Sequence, residues 1–225
     1  MGDAVGQVLS FGVGVALSPI PIIGVVLMLG TPQARANGLA FIAGWIFGLA
    51  VVGAIVLLAA SGAGASDSGA PADWVGIVKL ALGVLLGIVA VRQWHARPRA
   101  GTEPKLPAWM KAIDTFTPLK AAAMAVVLSA VNPKNLLLVV GAAAAIAQTG
   151  ASTVDQAVAL AVFVLLGTIG PAIPVAIYFL LRERAAAVLE GMRGWMAREN
   201  ATIMAVLCLV IGAKLIGDAI SGLAA

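Results

Sequence analysis

Apolar residues run for about 20 positions at a time along this chain, and polar residues gather in the short stretches between the runs. A helix needs about 20 apolar residues to cross the hydrocarbon layer of a membrane. Six runs meet that length, roughly 4–29, 38–60, 74–94, 119–147, 155–181 and 200–220. A closed barrel, the other way to satisfy the backbone in lipid, needs short alternating strands, and none are seen. The pattern predicts an all-α integral membrane protein of six transmembrane helices.

Three of the runs contain helix breakers. The first holds ALSPIPII, with Ser18, Pro19 and Pro21 near its centre. The fourth holds SAVNPKNL, where Asn132, Pro133, Lys134 and Asn135 interrupt a stretch of Ala, Val and Leu. The fifth holds GTIGPAIP, with Gly170, Pro171 and Pro174 as a candidate hinge. Each Pro removes a helical hydrogen bond and displaces the preceding carbonyl. Such freed groups survive at membrane depth only when buried in protein or lining a wet cavity.

Composition strengthens the membrane reading. The 225 residues are 61% hydrophobic and 11% charged, with a mean hydropathy of +1.05. A soluble domain is nearer 25% charged. In a soluble chain the net charge of +4 would suggest nucleic acid, but its distribution points to topology. Eleven of the 14 Lys and Arg fall in the first, third and fifth loops, from Arg35 to Arg198. The loops 61–73 and 148–154 hold none. The positive-inside rule therefore places the basic loops in the cytoplasm and both termini outside, in a plasma membrane. A re-entrant fourth segment would put four arginines outside, so that segment is expected to span despite its break. The N-terminal MGDAVGQVLSF has no basic residue before its apolar run, so a retained helix is expected rather than a cleaved signal.

The basic linker divides the chain into a first three-helix repeat (1–94), a cytoplasmic linker (95–118) and a second three-helix repeat (119–225). Three spans per half make the halves inverted, and interrupted helices recur in matching positions of inverted-repeat transporters. Within the linker, Leu106, Trp109, Ile113 and Phe116 share helical spacing, which predicts a short interfacial helix. GMRGWMAREN, before the sixth span, predicts another.

The three cations outside the loops are Lys79, Lys134 and Lys214. Lys79, near a helix end, is expected to snorkel. Lys214 and Asp218 are four apart, as a structural pair or a gate. A charge at the bilayer centre costs roughly 2.5–3.5 kcal/mol on insertion scales, which makes Lys134 the leading functional residue. With no carboxylate at mid-membrane, Lys134 is also the candidate to change protonation. Gly44 and Gly48, and Gly83 and Gly87, have the spacing of close helix contacts. The lone Cys208 excludes an internal disulfide. No cluster has metal-ligand spacing, and no nucleophile and base fall at a usable spacing. Neither a cofactor nor catalysis is expected.

Taken together, ALSPIPIIGVVLML, RANGLAFIAGWIFGLAVVG, WMKAIDTFTPLKA and SAVNPKNLLLVV resemble the peptidoglycolipid addressing protein family of the lysine-exporter superfamily. The likeness extends through WMARENATIMAVLCLVIGAKLIGD and covers nearly the whole chain. It implies inverted three-helix repeats and gradient-driven export, with members linked to sending glycopeptidolipids and sulfolipids to the cell surface. Amino-acid exporters of that superfamily have a Pro-Gly-Pro type turn where this chain has Ser18-Pro19-Ile20-Pro21, which disfavours an amino-acid substrate.

The leading expectation is a lipid or glycolipid exporter with a mid-membrane site at Ser18, Pro19, Pro21, Asn132, Pro133, Lys134 and Asn135. Lys134 would attract a head group, and the two Asn would hydrogen-bond it. The alternatives are an exporter of amino acids or another small solute or cation, and a non-transporting membrane adaptor for lipid-export machinery acting through the linker. The partners expected are membrane lipids, the cargo, lipid-synthesis or larger export machinery, and a second copy as a homodimer; nucleic acid is not among them.

Overall fold

A computed structural model describes residues 2–62, 73–97 and 108–223 of the chain. The described residues are helical throughout, with no strand. The helices are α1 (Gly2–Ala16), α2 (Pro19–Leu29), α3 (Ala34–Gly62), α4 (Asp73–His95), α5 (Pro118–Val126), α6 (Pro133–Gln148), α7 (Thr153–Leu181) and α8 (Ala185–Leu223).

Proline sets two of the boundaries. Pro19 begins α2 and Pro133 begins α6, each in the first helical turn where a missing N–H costs nothing. The axes of α1 and α2 differ by 52°, and those of the α5 stretch and α6 by 62°. Between α5 and α6 the chain winds into one π turn, Val127–Val131. Three unbroken helical runs are long and apolar enough to cross a membrane, and each bent pair qualifies when taken as one span.

The longest run, Thr153–Gly222, contains both α7 and α8. It is not one rod. Gly12 of α1 meets Leu166, and two residues on Gly14 meets Ile211. A straight helix would put residues 166 and 211 about 67 Å apart at 1.5 Å per residue. The chain therefore reverses between them, at the short 3-10 turn Arg182–Arg184, where Arg182 takes a left-handed φ of 46°.

The helices pack crosswise between the two parts of the chain: α1 chiefly on α7, α5 on α3, and α4 on α8. Small residues permit these contacts. A Cβ at Gly44 would strike the Ala122 carbonyl, one at Gly48 the Ser129 hydroxyl, and one at Gly170 the Ala16 carbonyl. At Gly83 it would lie 2.8 Å from the Gly212 carbonyl, whereas at Gly87 it would meet nothing within 4 Å. Of the two spaced glycine pairs, 44/48 lines a close contact with both members and 83/87 with one. The outward faces remain apolar, with Leu58, Leu119, Leu165 and Val210 all exposed, as a lipid-facing surface requires.

One local expectation is refined and one changes. The linker segment forms a 3-10 helix, Ala108–Thr115, that docks on α2. Met110, Ile113 and Phe116 are buried, and the Trp109 ring sits 2.8 Å from where a Cβ of Gly24 would be. Leu106, Arg99 and Lys105 lie outside the described residues. GMRGWMAREN is no separate element either, because α8 runs without a break from Ala185 to Leu223.

Candidate functional site

Each helix break frees particular carbonyls, and the site is built from the side chains that claim them. In a regular helix the Gly14 carbonyl would accept from the Ser18 N–H, but that N–H turns to the Ala16 carbonyl (3.0 Å). Pro19 cannot donate to Val15, and Pro21 cannot donate to Leu17. Three buried acceptors result at the C-terminal end of α1.

Lys134 and Ser18 take all three. Lys134 Nζ donates to the carbonyls of Gly14 (2.7 Å) and Leu17 (3.4 Å) and to Ser18 Oγ (2.7 Å). The Ser18 hydroxyl donates to the Val15 carbonyl (2.6 Å) and also lies 3.1 Å from Asn135 Oδ1, so its single proton is shared. Ser18 stands at the N-cap of α2, yet its side chain makes no capping bond there. It is turned to the break instead. Lys134 is only 4% exposed. Its ammonium sits against the negative end of the α1 dipole, where a cation is stabilised.

At the second break one freed carbonyl finds its donor in the same half. The Asn132 N–H reaches back five residues to Val127 (3.2 Å), which leaves the Leu128 carbonyl without its usual helical donor. Asn135 Nδ2 donates to it at 3.0 Å. Asn132 caps α6, its Oδ1 accepting from the Lys134 N–H at 3.1 Å. The four residues of the NPKN stretch thus divide the work. Asn132 and Pro133 start α6, Asn135 seals its own break, and Lys134 seals the break in the other half. The structure joins Ser18, Lys134 and Asn135 directly; Pro19, Pro21 and Pro133 create the geometry without polar contact.

α7 behaves differently. It continues through Pro171 and Pro174. Pro171 frees the Gly167 carbonyl, and the buried Trp45 indole N–H of α3 donates to it at 3.2 Å. Trp45 was not singled out by its sequence context. The available signal is that a buried indole N–H seeks an acceptor and that Pro171 supplies one four residues upstream.

An apolar groove of about 460 Å³ runs along the outside of the first break. Leu17, Pro19 and Ile22 form one wall, and α8 forms the other through Met196, Ile203 and Leu207. Leu17 and Pro19 flank Ser18, so groove and hydrogen-bond cluster share the same stretch of backbone. Leu17, Trp195 and Val206, all on its rim, are exposed on the bundle surface. Cys208, next to Leu207, is buried and within electrostatic reach of Lys134. The pair Lys214–Asp218 forms as expected at 2.6 Å, away from the break. Lys79 is 7% exposed, so it is enclosed by protein where snorkelling would need a free side chain.

Comparison with known proteins yields one positive result. No curated protein and no solved structure matches the chain. A family model described as Sap, sulfolipid-1-addressing protein, matches residues 8–221, which spans both broken helices, the groove and α8. A membrane-embedded helical chain carrying that match over nearly its full length belongs to the sulfolipid-1-addressing protein family.

Proposed function

We propose that this chain is a plasma-membrane exporter that moves a lipid or glycolipid toward the cell envelope. The observation that carries the reading is the apolar groove beside the broken first helix. Its lining is apolar except for Glu199 and Thr202, which suits an acyl chain and not a small polar solute. Its mouth lies on the surface that faces lipid, so a chain enters sideways from the bilayer.

The proposal includes six spans, counting α1–α2 and α5–α6 as one broken span each. Bends of 52° and 62° fall well short of the reversal that a re-entrant hairpin needs. The crosswise packing supports two inverted halves, since α1 and α5, α3 and α7, and α4 and α8 exchange roles. The basic loops are then cytoplasmic and both termini outside.

In the working cycle, a tail in the groove presses on Leu17 and Pro19 and loosens Ser18 between them. Lys134 then exchanges the α1 carbonyls for the polar head of the cargo, with Asn132 and Asn135 beside it. Gly170, at the contact of α7 with the end of α1, is the pivot. The adaptor reading loses its simplest form, because the apolar face of the linker helix is spent on α2.

The test fills the groove. Leu17→Trp with Val206→Trp, at normal protein level in the membrane, is expected to stop delivery of the lipid to the cell surface. Trp109→Ala with the neighbouring basic residues neutralised tests the adaptor. Unchanged delivery with the groove filled, and loss only in the linker variant, would overturn the exporter.

A further inference from the structure

A second group of polar residues lies along α8 where it meets α1 and α4, away from the breaks. The Lys214 ammonium stands 5.8 Å from the centroid of the Phe11 ring, and Ile211 meets Gly14. Residue numbers fall along α1 as they rise along α8, so the helices run antiparallel here. One further turn brings Gln7 level with Asp218. Residues 7, 10, 11 and 14 share one face of α1 by helical spacing. Lys79 of α4 is within electrostatic range of both Lys214 and Asp218. Gly83, one turn along from Lys79, meets Ile216 at 2.7 Å on the same contact.

Three groups in this cluster lack partners. Gln7 Oε1 and Ser10 Oγ are buried with no hydrogen bond. Lys79 is 93% buried by its exposure of 7%, and it has no hydrogen-bonding or ion-pairing partner among the described residues. A buried ammonium with no hydrogen-bonded counter-ion, only the more distant Asp218, is costly for a fold to carry. Lys214 neutralises Asp218, so the cluster keeps one positive charge in excess. A half-buried site with that excess, a spare ammonium and a spare hydroxyl is matched by an oxyanion bearing several acceptor oxygens.

We infer that Lys79 and Lys214, with Ser10 and Gln7, form a binding site for an oxyanion of the sulfate- or phosphate-ester type, with Asp218 as the internal anion that occupies Lys214 while the site is empty. The cluster lies at the end of the bundle that holds the start of α1 and the end of α8, opposite the Arg182 turn. Under the exporter reading, on which this role rests, that end faces outside and the site receives a head group leaving the membrane.

The experiment measures equilibrium binding, which does not depend on transport. The full chain in neutral detergent is titrated with phosphatidylglycerol, phosphatidylcholine and inorganic phosphate, and affinity is read from the thermal shift. Phosphatidylglycerol is expected to bind and phosphatidylcholine not. Losing one charge-assisted contact, Lys79→Met should weaken binding about tenfold or more, while raising the melting temperature of the ligand-free protein. Lys79→Arg should retain binding. Asp218→Asn should strengthen it several-fold, a gain that no structural lock predicts. A Lys79-dependent response to inorganic phosphate alone identifies a free anion as the ligand, and one to the lipid identifies a head group. Equal affinities in wild type, Lys79→Met and Asp218→Asn overturn the site. The Leu17→Trp, Val206→Trp variant separates the two proposals: binding with no export leaves this site standing, and export with no binding removes it alone.

Discussion

The contact between Lys134 and Ser18 is the junction between the halves, and a double-mutant cycle measures it directly. Lys134→Met alone has an ambiguous sign. It orphans the Gly14 and Leu17 carbonyls, each costing about 1–3 kcal/mol, but it recovers roughly 2.5–3.5 kcal/mol spent on placing a charge in the membrane. Those magnitudes nearly cancel. The cycle with Ser18→Ala removes the ambiguity, because the recovered desolvation appears on both sides. What remains is the Nζ to Oγ bond of 2.7 Å. A hydrogen bond to a charged group contributes about 1.5–3 kcal/mol. For a chain of this size 1 kcal/mol moves the melting temperature by about 2–4 °C. The double variant should therefore melt about 3–12 °C higher than the sum of the single losses predicts. Thermal unfolding in neutral detergent, followed by the fluorescence of the five tryptophans, reads this. Additivity within about 0.5 kcal/mol, or roughly 1–2 °C, would refute the coupling.

The remaining expectations concern the other contacts of the breaks. Trp45→Phe leaves the Gly167 carbonyl bare at a cost of about 1–3 kcal/mol; in a Pro171→Ala background the restored N–H of residue 171 takes that carbonyl, and the loss in melting temperature should shrink. Gly170→Val drives a side chain into the Ala16 carbonyl and should abolish folded yield by size-exclusion chromatography, whereas Gly87→Ala, which meets nothing within 4 Å, should melt near wild type. Cys208, the single thiol and buried, should label slowly with a maleimide in the wild type and several-fold faster in Lys134→Met; equal rates would show that the contact of Lys134 with α1 does not keep Cys208 covered.

The helices were legible because apolar length is a property of contiguous sequence. Each of the six runs falls on a helix or on a bent helix pair. The breaks were legible for the same reason, since Pro acts on the carbonyl four residues before it. What the breaks bind was not legible. Lys134 and Ser18 are 116 residues apart, and Trp45 and Gly167 are 122 apart, so only packing identifies each donor with its acceptor. Lys134 drew attention as a costly charge, which was right, but its cost is met by the C-terminal end of α1 and not by an open polar cavity. The docking of the linker was hidden for a related reason. Spacing showed that Ile113 and Phe116 share a face, but not that the face would find α2. The junction at Arg182–Arg184 shows the limit from the other side. Charged residues there marked a loop, and the chain reverses within three residues.

The partners of the freed carbonyls also constrain the cargo. Lys134 belongs to the second half and holds the first; Trp45 belongs to the first and holds the second. A rocking motion between the proposed halves must break such bonds, and at membrane depth no bulk water replaces them. Two kinds of group are then bare at once: an ammonium that needs acceptors, and the carbonyls of Gly14 and Leu17 that need donors. A purely anionic head satisfies the first and not the second. A hydrocarbon satisfies neither. A head rich in hydroxyl groups offers both, since each hydroxyl donates one hydrogen bond and accepts others. Under the exporter reading, the break therefore favours a lipid with a polyhydroxylated head, its tail in the groove beside Leu17. The spare positive charge at Lys79 and Lys214 then adds selection for an ester oxyanion on that same head.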